Sequence, residues 1–320
     1  MRLVPRLALI LCGFFVAVPA VQAQAPAPQG TWAEKARVEP RVETATAFAN
    51  GKLYVFGGLA RGQDSSTLTQ EYDPATDRWR DRAPMPGPLS HPNAATLNGK
   101  IYVVGGFLRQ THAVAQDAFF EYDPAADTWK RMPSMTAPRG AVAVAAINGK
   151  IHAIGGRTPE NMTVTTHEVF DLAANKWSDA APLPQGRDHL AIAALDGNIH
   201  VIGGRTGTRN ESVNRHDIYD VASNSWSTGP PLPTTRSGGA SALYKGMIVV
   251  AGGECAPGER TFQQVEGFDV KTGRWVTLAQ MPTGKHGISA ATDGETLYIQ
   301  GGSPICGLAY TDTLMTFRMQ

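Results

Sequence analysis

Along most of the chain, short apolar runs of strand length alternate with clusters of turn residues, and the alternation repeats. An apolar run ends in a Gly-Gly pair six times, with first glycines at Gly57, Gly105, Gly155, Gly203, Gly252 and Gly301. The spacings between those positions are 48, 50, 48, 49 and 49 residues, which makes six near-equal units of a repeat architecture. A two-residue turn precedes each run: Asn50-Gly51, Asn98-Gly99, Asn148-Gly149, Asp196-Gly197, Lys245-Gly246 and Asp293-Gly294. Asn-Gly and Asp-Gly readily take positive φ at both central positions, so each turn predicts a tight hairpin. Upstream, small apolar residues alternate, as in Ala45, Ala47 and Ala49 or Ala141, Ala143 and Ala145, and suit strands crowded around a central axis. Downstream, Tyr72, Tyr122, Phe170, Tyr219, Phe268 and Phe317 mark a third strand. Trp79, Trp129, Trp177, Trp226 and Trp275 mark a fourth, ended by Met85-Pro86, Leu183-Pro184, Leu232-Pro233 and Met281-Pro282.

The sixth unit breaks the pattern. After Phe317 only three residues remain, and the one tryptophan left, Trp32, stands before the first unit. The strand around Trp32 is therefore expected to complete the last unit and close a ring, which removes two unpaired sheet edges. Apolar strand, Gly-Gly, Tyr-Asp, then Trp resembles the kelch repeat, from about Thr31 to Met319. The resemblance implies an all-β, six-bladed propeller with four antiparallel strands per blade. WD-type propellers fit less well, because their repeats are shorter and carry Trp-Asp and Gly-His signatures.

The N-terminus adds a compartment. Arg2 and Arg6, the apolar run Leu7 to Val18 and the small residues of Val21-Gln22-Ala23 read as a cleaved signal peptide over residues 1–23. Residues 24–320 form a single domain, expected in the periplasm or secreted and, as one closed ring, monomeric. No run is long enough to span a bilayer. Loss of Arg2 and Arg6 takes the formal charge from +1 to -1, which offers no general attraction to nucleic acid. Cys255 and Cys306 then remain and are expected to form a disulfide between blades five and six.

Candidate chemistry gathers on one face, where the start of each innermost strand meets the loop after Gly-Gly. Sixteen residues before each first glycine stand Arg41, Leu89, Arg139, Arg187, Arg236 and Lys285, and two residues after it Leu59, Phe107, Arg157, Arg205, Glu254 and Ser303. Converging guanidinium groups bind carboxylates through paired charge-assisted hydrogen bonds. Arg139, Arg157, Arg187, Arg205, Arg236 and Lys285 are thus candidates to hold a small anionic or sugar ligand. The alternative for the strand-start cations is pairing with a carboxylate or carbonyl of a neighbouring blade. The loop Gly253-Glu254-Cys255-Ala256-Pro257-Gly258-Glu259-Arg260-Thr261 resembles one in bacterial N-acetylneuraminate mutarotases, which are kelch propellers. That resemblance implies Glu254 as the proton-transferring group, its pKa raised by partial burial, and Arg260 as the holder of a substrate carboxylate.

Other chemistries find little support. His152 and His200 take the position of Tyr54, Tyr102 and Tyr298 in sister units and read as packing residues. His91 and His189 share one phase of the inner strand, with His286 one residue away, but no spacing typical of a metal site links them. No metal and no cofactor are expected, no galactose-oxidase-type copper set is present, and P-loop, dinucleotide and nucleophile-elbow motifs are missing. Three functions follow as candidates: a binder of a small anionic or carbohydrate ligand, a sialic-acid-type mutarotase, and a platform for a protein partner.

Overall fold

The computed structural model describes residues 30–319 other than 111, 256, 257 and 259. The signal peptide expected over residues 1–23 lies outside the described residues. Six four-stranded antiparallel sheets stand as blades around a central channel. From the axis outward, blade one is Ala45–Ala49, Lys52–Phe56, Thr69–Asp73 and Arg78–Asp81, and blades two to five repeat this order. Blade six joins Ser289–Thr292, Leu297–Gln300 and Leu314–Met319 to the N-terminal strand Gly30–Lys35, in which Trp32 faces Phe317.

Closure by Trp32 is visible in one repeated bond. Every indole N–H donates to the carbonyl four residues beyond the tryptophan of the preceding blade: Trp79 to Ala36, Trp129 to Ala83, Trp177 to Pro133, Trp226 to Ala181 and Trp275 to Pro230. Trp32 does the same to Ala279 at 3.0 Å. It thus serves as the sixth blade's tryptophan although it lies at the other end of the chain.

Five of the six turns take positive φ at both central residues, as in Asn50 (51°) and Gly51 (75°). The sixth departs from expectation. Only Gly294 has positive φ, and the Asp293 carboxylate instead accepts from the backbone N–H groups of Glu295 and Thr296, the side-chain-capped turn that aspartate favours. Met85, Leu183, Leu232 and Met281 also lie beyond the fourth strands, not at their ends, and are buried between blades.

Two contacts explain the repeat glycines. The N–H of each second glycine donates to the carbonyl of the residue that starts the next blade's inner segment: Gly58 to Leu89, Gly106 to Arg139, Gly156 to Arg187, Gly204 to Arg236, Gly253 to Lys285 and, closing the ring, Gly302 to Arg41, at 2.8–3.2 Å. The same carbonyl lies only 2.4–2.7 Å from where a Cβ would stand on the first glycine, whose φ is positive in every blade. Side chains are excluded there both by space and by backbone conformation. Gly155→Ala is therefore expected to destabilise the fold by at least about 2 kcal/mol, measured by urea denaturation.

Histidine replaces tyrosine inside blades three and four at a chemical cost. His152 and His200 are buried, and each ring bonds a second buried histidine, His167 and His216, at 2.9 Å. Burial lowers His152 to about 3 and His167 and His200 to about 4, and also lowers His216. These values lie below the ordinary histidine value of about 6.5, so as pH falls the unfolded chain takes up protons first. Their stabilising share is complete above pH 6.5 and is lost between 6.5 and about 3. Blade five carries Val249 and Val265 at the positions equivalent to His152 and His167. The pair His152→Val and His167→Val should therefore flatten the fall in Tm between pH 7 and 4.

Candidate functional site

Fourteen residues before each first glycine the chain passes closest to the axis, and all six residues there are left-handed: Glu43, His91, Ala141, His189, Gly238 and Gly287, with φ between 50° and 64°. Their backbones form most of a belt. His91 N–H donates to Glu43 carbonyl, Ala141 to His91, Gly238 to His189, Gly287 to Gly238 and Glu43 to Gly287, at 2.8–3.1 Å. Four of the six are not glycine, and such backbone strain commonly marks functional sites. The belt divides the axis into two spaces that share Glu43 and His91. On one side is a channel of about 140 Å³ lined by inner-strand residues including Thr46, Asn93 and Ser241. On the loop face is a chamber of about 160 Å³ lined by residues including Glu43, His91, Gln110, His112, Glu254 and His286.

The expected ring of ligand-binding cations is corrected here. Arg139, Arg187, Arg236 and Lys285 are buried inside their own blades and reach no cavity mouth. Arg139 bonds Glu168 at 2.5 Å and the Gly155 carbonyl at 2.6 Å, and Arg187 bonds Asp217 at 2.8 Å. Arg236 pairs with Glu266 and with the carbonyls of Gly252 and Val250. Lys285 bonds the Gly301 carbonyl and the hydroxyls of Thr311 and Thr313, and burial lowers its ammonium to about 8. The reason is geometric: because the backbone carbonyl of this residue must face the preceding blade, its side chain turns into its own blade, toward an acid on the third strand for the three arginines and toward the threonines just before that strand for Lys285. Pairing was the right alternative, but within the blade.

Arg157 and Arg205 do belong to the loop face, and both converge on Asp188. Arg157 Nε donates to Asp188 Oδ2 at 2.5 Å and Arg205 Nε to Oδ1 at 2.9 Å, while His189 Nδ1 donates to Oδ1 at 2.7 Å. Burial alone would raise the Asp188 carboxyl, but these three partners hold it well below the usual range. Arg205 Nη1 also donates to Glu254 Oε2 at 2.6 Å, assisted by Ser237 Oγ at 3.2 Å. The two arginines are thus matched by two carboxylates. Burial pushes Glu254 up, yet His189, Arg205 and His286 outweigh it, and the carboxyl ends below its ordinary value, opposite to expectation. Glu43 is the group that burial does raise. Arg260 is exposed, its backbone bridges Ile305, and it does not line the chamber, so the carboxylate-holding role implied for it has no geometric support. Cys255 and Cys306 form the expected disulfide, with Cα atoms 5.3 Å apart, at the chamber rim.

Comparison with known proteins decides the family. A family profile described as the KLHDC2/KLHL20/DRC7 Kelch-repeats domain matches residues 24–182 and 91–302. The chain belongs to the kelch-repeat family. Among curated relatives it is 42% identical over 76 residues to N-acetylneuraminate epimerase of Shigella flexneri serotype 5b, covering 21% of this chain and 20% of that protein. It is 39% identical over 71 residues to Kelch-like protein terF of Aspergillus terreus, covering 21% of this chain and 16% of the relative. The matched stretches thus span a fifth or less of either relative. A solved structure titled "Structure of YjhT" superposes with a TM-score of 0.74 at 18% identity, covering 89% of this chain and 99% of the other. That likeness shows the fold.

In this kelch propeller the residues missed by sequence reasoning are Glu43, Asp188 and His112. Glu43 shares the repeat phase of His91 and His189, the signal that was available. His112 lies in a loop of variable length, where register gives no guide. His286 faces Glu43 with Nδ1 at 3.8 Å, but its Nε2 is tied to the carbonyls of Ile305 and Gly307 at 3.0 Å. Leu59 lines the chamber, and Phe107 packs edge-on against His91 and His112. Arg139→Met would leave Glu168 buried without a counter-charge, and should cost about 3–5 kcal/mol of stability by denaturant titration with the loop-face chamber unaltered.

Proposed function

We propose that this protein is an exported kelch propeller that binds a small sugar in the loop-face chamber. One observation carries the reading. The chamber presents carboxyl, imidazole and amide groups and the guanidinium of Arg209, which donates to the Cys306 carbonyl at 3.2 Å, while the charges of Arg157 and Arg205 are already balanced by Asp188 and Glu254. With the Glu43 and Glu254 carboxyls set against the one arginine among the described lining residues, the chamber offers hydrogen bonds of both kinds without a net positive field, and so favours hydroxyl groups over a free carboxylate. Its volume of about 160 Å³ lies below the roughly 300 Å³ at which drug-sized pockets begin, in keeping with a single sugar ring. Export is supported by the leader-like residues 1–23 and by the Cys255–Cys306 disulfide.

A second reading, catalysis of anomer exchange, is favoured by the two chamber carboxyls. Arg205 helps hold the Glu254 carboxyl below its ordinary value, whereas burial raises Glu43 in spite of the nearby imidazoles, so their proton affinities are pushed apart as in acid and base pairs. Glu254 would take the proton of the anomeric hydroxyl while Glu43 gives one to the ring oxygen. The open sugar would then reclose on either face with both protons returned. The local likeness to N-acetylneuraminate epimerase of Shigella flexneri points the same way. A protein partner is the competing reading, supported by exposed Val114, Met162, Ile305 and Leu308 on the loops of that face.

Ligand-observed NMR and thermal melts with neutral, uronic and sialic sugars test these readings. At least one sugar should raise Tm, and Glu43→Gln and Glu254→Gln should each abolish that rise. If the sugar bound is also equilibrated faster between anomers, the same variants should slow the exchange by about 100-fold or more. Binding with no acceleration leaves a binding protein. No response to any sugar overturns the proposal and favours the partner.

A further inference from the structure

Eight histidines lie in the chain, and three of them, from different segments, meet at the axis. His91 and His189 come from the belt of blades two and four, and His112 descends from the loop after Gly105-Gly106. One ring nitrogen of each lies within 4.8 Å of the others. The three rings stand mutually edge-on, with centroids 4.7, 5.3 and 5.2 Å apart and interplanar angles of 63°, 74° and 88°. Stacked or parallel imidazoles would aim their lone pairs past one another; edge-on rings can aim them at a common point.

The surroundings fix two of the three rings. His189 Nδ1–H is committed to Asp188, which leaves the lone pair on Nε2, the carboxylate–imidazole arrangement that typically backs a metal ligand. His91 Nδ1 lies 3.2 Å from Ser90 Oγ, and its Nε2 is 3.5 Å from Glu43 Oε2. His112 Nε2 is buried and has no hydrogen-bond partner among the described residues, a costly state for a ring nitrogen. One contact competes: Arg205 Nη2 lies 3.2 Å from His189 Nε2. Arg205 retains Asp188 and Glu254 if that contact is given up.

We infer that His91, His112 and His189 form a three-histidine site for a first-row divalent cation, zinc being the best match. Three imidazoles with a position left open toward a chamber are the donor set that zinc takes in catalytic sites, whereas calcium and magnesium require oxygen ligands. The open position faces the same chamber as Glu43 and Glu254, where a hydroxyl or carboxylate of a small ligand would complete the coordination. The inference does not depend on the sugar reading, because the ion is held by protein groups alone.

Untagged protein stripped with a chelator and titrated with zinc chloride in the absence of sugar provides the test, read by calorimetry, with cobalt(II) absorption as a second readout. One zinc per chain is expected, with a cobalt spectrum of tetrahedral type. His112→Ala should weaken zinc binding by more than about 100-fold, beyond the loss of a mere supporting group, and His91→Asn should do the same, asparagine being tolerant of the positive φ at that position. Melting curves of both variants report whether they fold. If either variant does not fold, the cobalt spectrum of the unaltered protein decides: tetrahedral bands support the site, and the spectrum of the hydrated ion overturns it. Stoichiometric zinc that persists unchanged in folded His112→Ala, or no stoichiometric zinc at all, also overturns it.

Discussion

Six backbone carbonyls hold this ring together. Each belongs to the residue that opens a blade's inner segment, and each is gripped by the second glycine N–H of the blade before it, against a first glycine that has no room for a Cβ. Since the bond recurs at every junction, including Gly302 to Arg41, the blades are indexed to one another around the whole circle. The peripheral counterpart is the indole N–H of each tryptophan bonded to the blade before. With an inner and an outer bond at each junction, neighbouring blades are tied at two radii, and the apolar faces between them are pressed into contact, as where Ala45, Ala47 and Phe56 meet Ile101, Val103 and Tyr122.

The same constraint decides which charges are available for function. A residue whose carbonyl must face one blade sends its side chain into the other, so Arg41, Arg139, Arg187 and Arg236 are consumed as internal ion pairs and hydrogen bonds. Two residues further along, the chain turns through left-handed conformations to form the belt at the axis, and there the side chains are released from the blades. The belt is uneven. Gly287 leaves space that a Cβ would take from Glu43, and a Cβ on Gly238 would stand 3.1 Å from Glu254 Cγ. Glycine on one side thus lets carboxylates lie over the axis, and histidine on the other supplies imidazoles.

The chamber therefore differs in character from a cationic cup. Asp188 gathers Arg157, Arg205 and His189, and Arg205 passes on to Glu254, so positive and negative groups alternate within hydrogen-bonding distance. In a partly desolvated space such alternation fixes side-chain positions and leaves carboxyl, amide and imidazole atoms to meet a ligand. The opposed shifts of Glu43 and Glu254 follow from position: burial raises both, but for Glu254 it is outweighed by His189, by Arg205, which donates to it directly, and by His286, whereas for Glu43 it is not.

The repeat spacing, the turn dipeptides and the lone Trp32 were sufficient to determine the number of blades, their strand order and the way the ring closes, because each is a local pattern read six times over. The pairing of Cys255 with Cys306 was legible for the same reason, both lying at known offsets from a Gly-Gly pair. Which way a side chain on the loop face points was not legible. Arg139 and Arg205 both looked like mouth cations, yet one is turned into its blade by a backbone hydrogen bond and the other reaches the axis. His112 joins His91 and His189 through a loop whose path no register constrains, and the carboxyl shifts of Glu43 and Glu254 depend on neighbours from other blades. Sequence by itself determined the ring, since repeated local patterns specify it. Only the tertiary structure decided the site, since the contacts that make it cross between blades.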